Sequence, residues 1–76
     1  MRQYKLYGTA NDAINNQPDY VFVASGQAET PKIAMENVRS GMYEMGWDDI
    51  LFTKIEEKIN DYDYVEIPMM QALELE

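Results

Sequence analysis

Between Thr30 and Gly46 the apolar positions fall on a helical period. Ala34, Val38, Gly41, Met42 and Met45 follow one another at spacings of four, three, one and three, which lines them along one stripe of a 3.6-residue helix. Lys32, Glu36 and Arg39 take the water-facing side, and Ile33 and Met35 widen the stripe at its start. Thr30 suits an N-cap, and Pro31 suits the first helical position, where its missing N–H has no bond to make. Gly46 offers a left-handed stop, with Trp47 placed to fold back on the last turn. The pattern predicts a helix over 31–45, in which Gly41 lets a strand come close.

Four stretches follow a strand period instead. Residues 3–8 are short and aromatic, and 19–25 (Asp19-Tyr20-Val21-Phe22-Val23-Ala24-Ser25) are the most β-prone of the chain. Residues 50–59 place Leu51, Thr53, Ile55 and Ile59 at even spacing, hence on one face. Asn60 to Asp63 read as a turn, and 64–67 as a strand that Pro68 ends, as suits a sheet edge. The helix stripe should then pack Val38, Met42 and Met45 on Val21, Val23, Leu51 and Ile55. The opposite parity would turn Tyr20, Phe22 and Phe52 inward. Residues 9–18 read as a polar loop with room for one helical turn near 12–16. Residues 69–76 fit either a short amphipathic helix or a frayed tail, and Leu75-Glu76 is open to reading as a cloning scar. The β-β-α-β-β order predicts an α+β two-layer sandwich, a mainly antiparallel sheet with one helix on one face.

Length changes this picture little. A chain of 76 residues makes one domain and buries roughly 60–65% of its unfolded surface, which leaves a small stability margin. Apolar residues at 46% and charged residues at 26% argue for a folded domain. The absence of cysteine excludes a disulfide framework and fits a cytoplasmic setting. No apolar run approaches the ~18–20 residues of a membrane span, and no signal-peptide core opens the chain. A soluble protein with no membrane partner is expected.

Charge changes the picture more. The net charge of −8 lies in one half: residues 1–43 carry four acids and four bases, whereas residues 44–76 carry ten acids and two lysines. With no histidine, no serine has its usual base, and Lys54 and Lys58 stand among carboxylates rather than in a desolvated pocket. Paired carboxylates remain, but so short a chain hardly builds a cleft for a sugar. The expectation is no enzyme and no cofactor. The four glycines form no phosphate-cradling run. Direct nucleic-acid binding is disfavoured, since phosphate contacts need more basic side chains than the six this chain carries. Asn60 to Glu66 alternate hard oxygen ligands, yet lack the glycine and length of a calcium loop, so a solvated hairpin turn is the simpler reading.

What remains is the acidic C-terminal hairpin. Glu56, Glu57, Asp61, Asp63 and Glu66 flank it, with Tyr62 and Tyr64 interleaved. Such a face either keeps the protein soluble or docks a basic protein surface, the carboxylates steering encounter and the tyrosines anchoring it. A sharper form is a DNA mimic, in which carboxylates occupy the phosphate positions of a nucleic-acid-binding protein; by analogy, small acidic proteins of phage and mobile elements often act so. The sequence therefore predicts a non-catalytic interaction module, an inhibitor or adaptor. Its alternatives are a self-associating structural domain, a homodimer through a sheet edge or the 69–73 segment, and weak divalent-cation binding at 60–66.

Overall fold

Thr30 opens the helix as predicted. Its backbone is extended (φ −134°, ψ 157°), its Oγ1 accepts the Ile33 N–H at 3.2 Å, and its carbonyl accepts the Ala34 N–H at 3.1 Å. The computed structural model describes residues 1–74; Leu75 and Glu76, with the cloning-scar reading placed on them, lie outside the described residues. In chain order the elements are β1 (Arg2–Asp12), β2 (Gln17–Ala28), α1 (Pro31–Glu44), β3 (Trp47–Lys58), β4 (Tyr64–Ile67) and α2 (Met69–Glu74). The four strands form one sheet in the order β2-β1-β3-β4, antiparallel at every junction. The fold is thus a small α+β sandwich whose first five elements follow the predicted β-β-α-β-β order, with α2 added after them. Because β1 lies antiparallel between them, β2 and β3 run parallel, and α1 crosses one face of the sheet to join them.

The segment expected to be a polar loop is mostly strand. β1 continues to Asp12, and the turn shrinks to residues 13–16. Asp12 Oδ1 accepts the backbone N–H groups of Ile14 and Asn15, both at 3.1 Å, so an Asx turn replaces the expected helical turn. At the other end, residues 69–74 form a helix rather than a frayed tail. The Ala72 N–H donates to the Pro68 carbonyl at 2.9 Å, and Ala72 is fully buried in the core.

Parity is the main correction. Val21, Val23 and Leu51 are exposed, and the core is formed instead by Tyr4, Leu6, Ala10, Ile50, Phe52 and Ile55, with Phe22, Val38 and Met42 packed against it. On β2 the inward set is Phe22, Ala24, Gly26 and Ala28, the last three small enough to let α1 sit close: a Cβ on Gly26 would lie 3.4 Å from Val38 Cγ2. Leu51 and Ile55 do not share a face, although four residues apart. Tyr7 pairs with Lys54 while Gly8 pairs with Phe52, so Thr53 is an extra residue, a β-bulge that shifts the alternation by one. A second bulge lies between Thr9↔Leu51 and Asn11↔Asp48, where Asp49 adopts φ 48°. The two bulges turn Trp47, Ile50, Phe52 and Ile55 toward the helices at spacings of three, two and three. Ile59 lies beyond the strand end and is exposed.

The helix stripe is also narrower than expected. Met45 is the exposed C-cap, and Gly41 has open space where a Cβ would stand. No strand approaches Gly41. Gly46 (φ 96°) does supply the left-handed stop, and Trp47 opens β3, its ring edge-on to Tyr20 at 5.4 Å.

Candidate functional site

α1 and α2 cover one face of the sheet. The other face is open, and its side chains follow from the odd positions of β1 and β2: Lys5, Tyr7, Thr9, Val21, Val23 and Ser25, joined across the ladder by Leu51, Lys54, Glu56, Tyr64 and Glu66. Its centre holds three exposed apolar residues on neighbouring strands, Val21 (80% exposed), Val23 (58%) and Leu51 (61%). The register aligns Val21, Thr9 and Leu51 across three strands, with Val23 beside Tyr7. On the second half of β2 valine faces out while Ala24, Gly26 and Ala28 face in, and the three exposed apolar side chains together form a patch rather than scattered exposure.

The acidic hairpin is divided by the structure. Glu56 lies on the open face, half-buried, and is engaged within the fold: the Tyr7 hydroxyl donates to its Oε1 at 2.6 Å, and the Lys54 ammonium lies 3.3 Å from its Oε2. Glu57 points to the covered face, where Arg2 lies 4.0 Å away. The sequence pattern placed these two on one acidic face. Adjacent strand residues point to opposite faces, so they part. Tyr64 is half-buried with the Lys5 ammonium 4.3 Å above its ring, and Lys54 stands 5.0 Å from the Tyr7 ring. Lys5 and Lys54 are therefore engaged with their own neighbours, while Lys58, opposite Tyr64, shares the open face. Glu66 on β4 is exposed on that face.

Asp61, Tyr62 and Asp63 form the tip of the β3–β4 turn. Asn60 organises it: its Oδ1 accepts the Tyr62 and Asp63 N–H groups at 2.9 Å each, its Nδ2 donates to Asp63 Oδ2 at 2.9 Å, and the Ile59 N–H donates to the Asp63 carbonyl at 3.0 Å. Tyr62 is left 91% exposed. Among the described residues no three acidic side chains converge as a metal site would require.

A second acidic end, at the opposite tip of the strands, was not singled out in the sequence. Asp12, Asp19, Asp48 and Asp49 gather there around a shallow depression of about 490 Å³ lined by Asn11, Asp12, Asn16, Gln17 and Asp48 among others. Asn11 ties the corner together, donating to Asp49 Oδ2 at 2.8 Å and accepting the Asp19 N–H at 3.0 Å. Asn16, Asp19 and Asp49 all have positive φ (56°, 59° and 48°), a conformation that Asn and Asp tolerate best among side-chain-bearing residues. The density of Asn and Asp over 11–19, together with Asp48-Asp49, was the available signal.

Hydrogen bonding shifts two carboxylates. The Tyr7 hydroxyl, and after it Lys54, hold Glu56 below the usual glutamate range; the Asn15 side-chain amide, then backbone N–H groups, do the same for Asp12. The bond to Glu56 raises the Tyr7 phenol above its ordinary value. A depressed carboxylate lends stability that is present above its unfolded pKa and lost as pH falls through the folded value. A raised phenol lends stability that is present below its unfolded pKa and lost as pH rises through the folded value. The melting temperature should thus be flat between about pH 5 and 9 and fall on both sides. Glu56→Gln and Tyr7→Phe, which remove the same bond from either side, should each shallow both limbs, leaving the share of Asp12 on the acid side. An acid limb unchanged in Glu56→Gln would show that the bond does not persist in solution.

Comparison with protein-family models, curated proteins and solved structures finds no match. Among the described residues no helix is long and apolar enough to cross a membrane.

Proposed function

We propose that this protein is a non-catalytic interaction module that docks a basic protein surface, with the open sheet face as its apolar centre and the acidic strand ends as its rim. The observation that carries this reading is the exposed Val21–Val23–Leu51 patch lying between two acidic ends, Asp19, Asp48 and Asp49 at one and Asp61, Asp63 and Glu66 at the other. An apolar centre supplies desolvated contact, and a charged rim steers encounter and sets partner choice. Lys54 is balanced by Glu56 within the face, and the remaining lysines, Lys5 and Lys58, are outnumbered by the carboxylates of the rim. Carboxylates at both ends of a sheet face also suit the groove of a nucleic-acid-binding protein, the DNA-mimic form of the same function.

Capture from the source cell at low salt, followed by binding kinetics at rising salt, tests the reading. The partner should be basic, and association should slow as screening shortens the reach of the charges to about 8–10 Å. The triple reversal Asp48→Lys, Asp61→Lys, Glu66→Lys should lower the association rate about tenfold or more. Leu51→Ser should instead speed dissociation. Duplex DNA should compete if the partner is a nucleic-acid-binding protein. Binding that ignores both salt and the reversal would leave the charge a solubility device and end the proposal.

A further inference from the structure

β2 is an edge strand that carries the usual protection only at its start, where Pro18 and Asp19 stand. Edge strands in soluble proteins are kept from pairing by charges, prolines, bulges or shortness. From Tyr20 to Ala28 β2 has none of these: nine residues, no charge, no proline, and an unbroken register with β1. The opposite edge is guarded in the ordinary way, since β4 has four residues, carries Glu66 and ends at Pro68. One edge of the sheet is closed to pairing and the other is open.

The helix layer above β2 has the same character. Arg39 lies over the Phe52 ring at 5.2 Å, so that flank of α1 faces β3. The opposite flank, toward the β2 edge, carries Ile33, Asn37 and Gly41 at spacings of four. Those three carry no charge, although the exposed Glu44, three residues past Gly41, closes the same flank; Ile33 is 41% exposed, and a Cβ at Gly41 would meet nothing within 4 Å. A helix glycine costs about 0.5–1 kcal/mol relative to alanine, and nothing within the monomer uses the space it leaves. A second helix at close range would.

We infer that two copies of this chain associate through β2, antiparallel edge to edge about a two-fold axis perpendicular to the sheet, giving one eight-stranded sheet with the two α1 helices side by side. This goes beyond the docking reading and does not depend on it. The charge distribution favours this edge. Residues 1–43 are neutral overall, the β2 edge carries acids only at or just past its two ends, Asp19 and Glu29, and the β3–β4 hairpins sit on the far side of each protomer. With strands ~4.8 Å apart, the two β4 strands would lie about 34 Å from each other, well beyond the ~8–10 Å screening length. A perpendicular two-fold also keeps both open faces on one side, so Val21 and Val23 of the two copies join across the axis.

Sedimentation and light scattering on the full chain, from low micromolar to near millimolar, read the association directly. Val23→Lys places like charges together at the axis, and Gly41→Lys puts bulk between the helices; each should weaken self-association at least about tenfold. Both positions are open in the monomer, so far-ultraviolet circular dichroism of each variant should stay native. Met70→Lys, on the exposed surface of α2, should change nothing. Alternate β2 amides, those directed away from β1, should gain hydrogen-exchange protection as concentration rises. A wild-type chain monomeric over the whole range would overturn the inference. So would a dimer that survives Val23→Lys and Gly41→Lys, or one that Met70→Lys abolishes.

Discussion

Replacing Gly8 by alanine should unfold this protein or bring it close to unfolding. Gly8 lies in the middle of β1 on the covered face, in line with Leu6 and Ala10. A Cβ built there would collide with the Leu51 backbone carbonyl and approach Phe22 Cζ to 3.0 Å. The phenyl ring can move. The carbonyl cannot, because the course of β3 past Gly8 is set by ladder pairs on either side and by the bulge at Thr53. Overpacking against fixed backbone costs about 3 kcal/mol or more, and a domain of this size has roughly 5 kcal/mol to lose. Gly26→Ala is the control: its Cβ would stand 3.4 Å from Val38 Cγ2 and 3.7 Å from Leu6 Cδ1, near ordinary contact with flexible side chains, and should cost no more than about 1 kcal/mol. Thermal unfolding followed by circular dichroism separates the two. If Gly8→Ala melts within a few degrees of wild type, β3 does not pass Gly8 as described.

The sequence carried the helix because several independent signals coincide there. The Thr30–Pro31 start, the stripe through Ala34, Val38 and Met42, and the Gly46 stop all agree with α1. The fourth strand and its turn were equally legible, since Asn60 and Pro68 each act locally. The end of β1 was hidden because Thr9-Ala10-Asn11-Asp12 has neither bulk nor branching; Ala10 is buried only because β2 and β3 flank it. Parity on β2 was misread for a related reason. Val21 and Val23 are the stronger β-formers, but the face under α1 needs small residues for close approach, and that requirement belongs to the packed structure rather than to the strand.

The candidate site was legible in composition and not in geometry. Charge asymmetry and the acidic hairpin could be read directly, yet the division of Glu56 from Glu57, and the pairing of Glu56 with Tyr7 across 49 residues, depend on register. The apolar half of the open face was hidden by the same parity error, because Val21, Val23 and Leu51 had been assigned to the core. The second acidic end was missed because its members come from the end of β1, the start of β2 and the start of β3, which only the β1–β3 ladder brings together.

Leu51 and Ile55 give the most direct test of that parity. A regular strand puts residues four apart on one face, so truncating either should cost about the same. The bulge at Thr53 separates them: Ile55 has no exposed surface and pairs with Leu6 and Ile67, whereas Leu51 is 61% exposed. Ile55→Ala should therefore cost about 2–5 kcal/mol, the lost transfer energy plus the cavity left beneath α2 and β4. Leu51→Ala should stay within about 0.5 kcal/mol, as for a surface position. Chemical denaturation at equilibrium gives both values, and an unchanged denaturant slope would show that the unfolded state is not the source of the difference. Equal costs at the two positions would mean that β3 runs without the bulge. Leu51 would then belong to the core, and the open face would lose the centre on which its docking role rests.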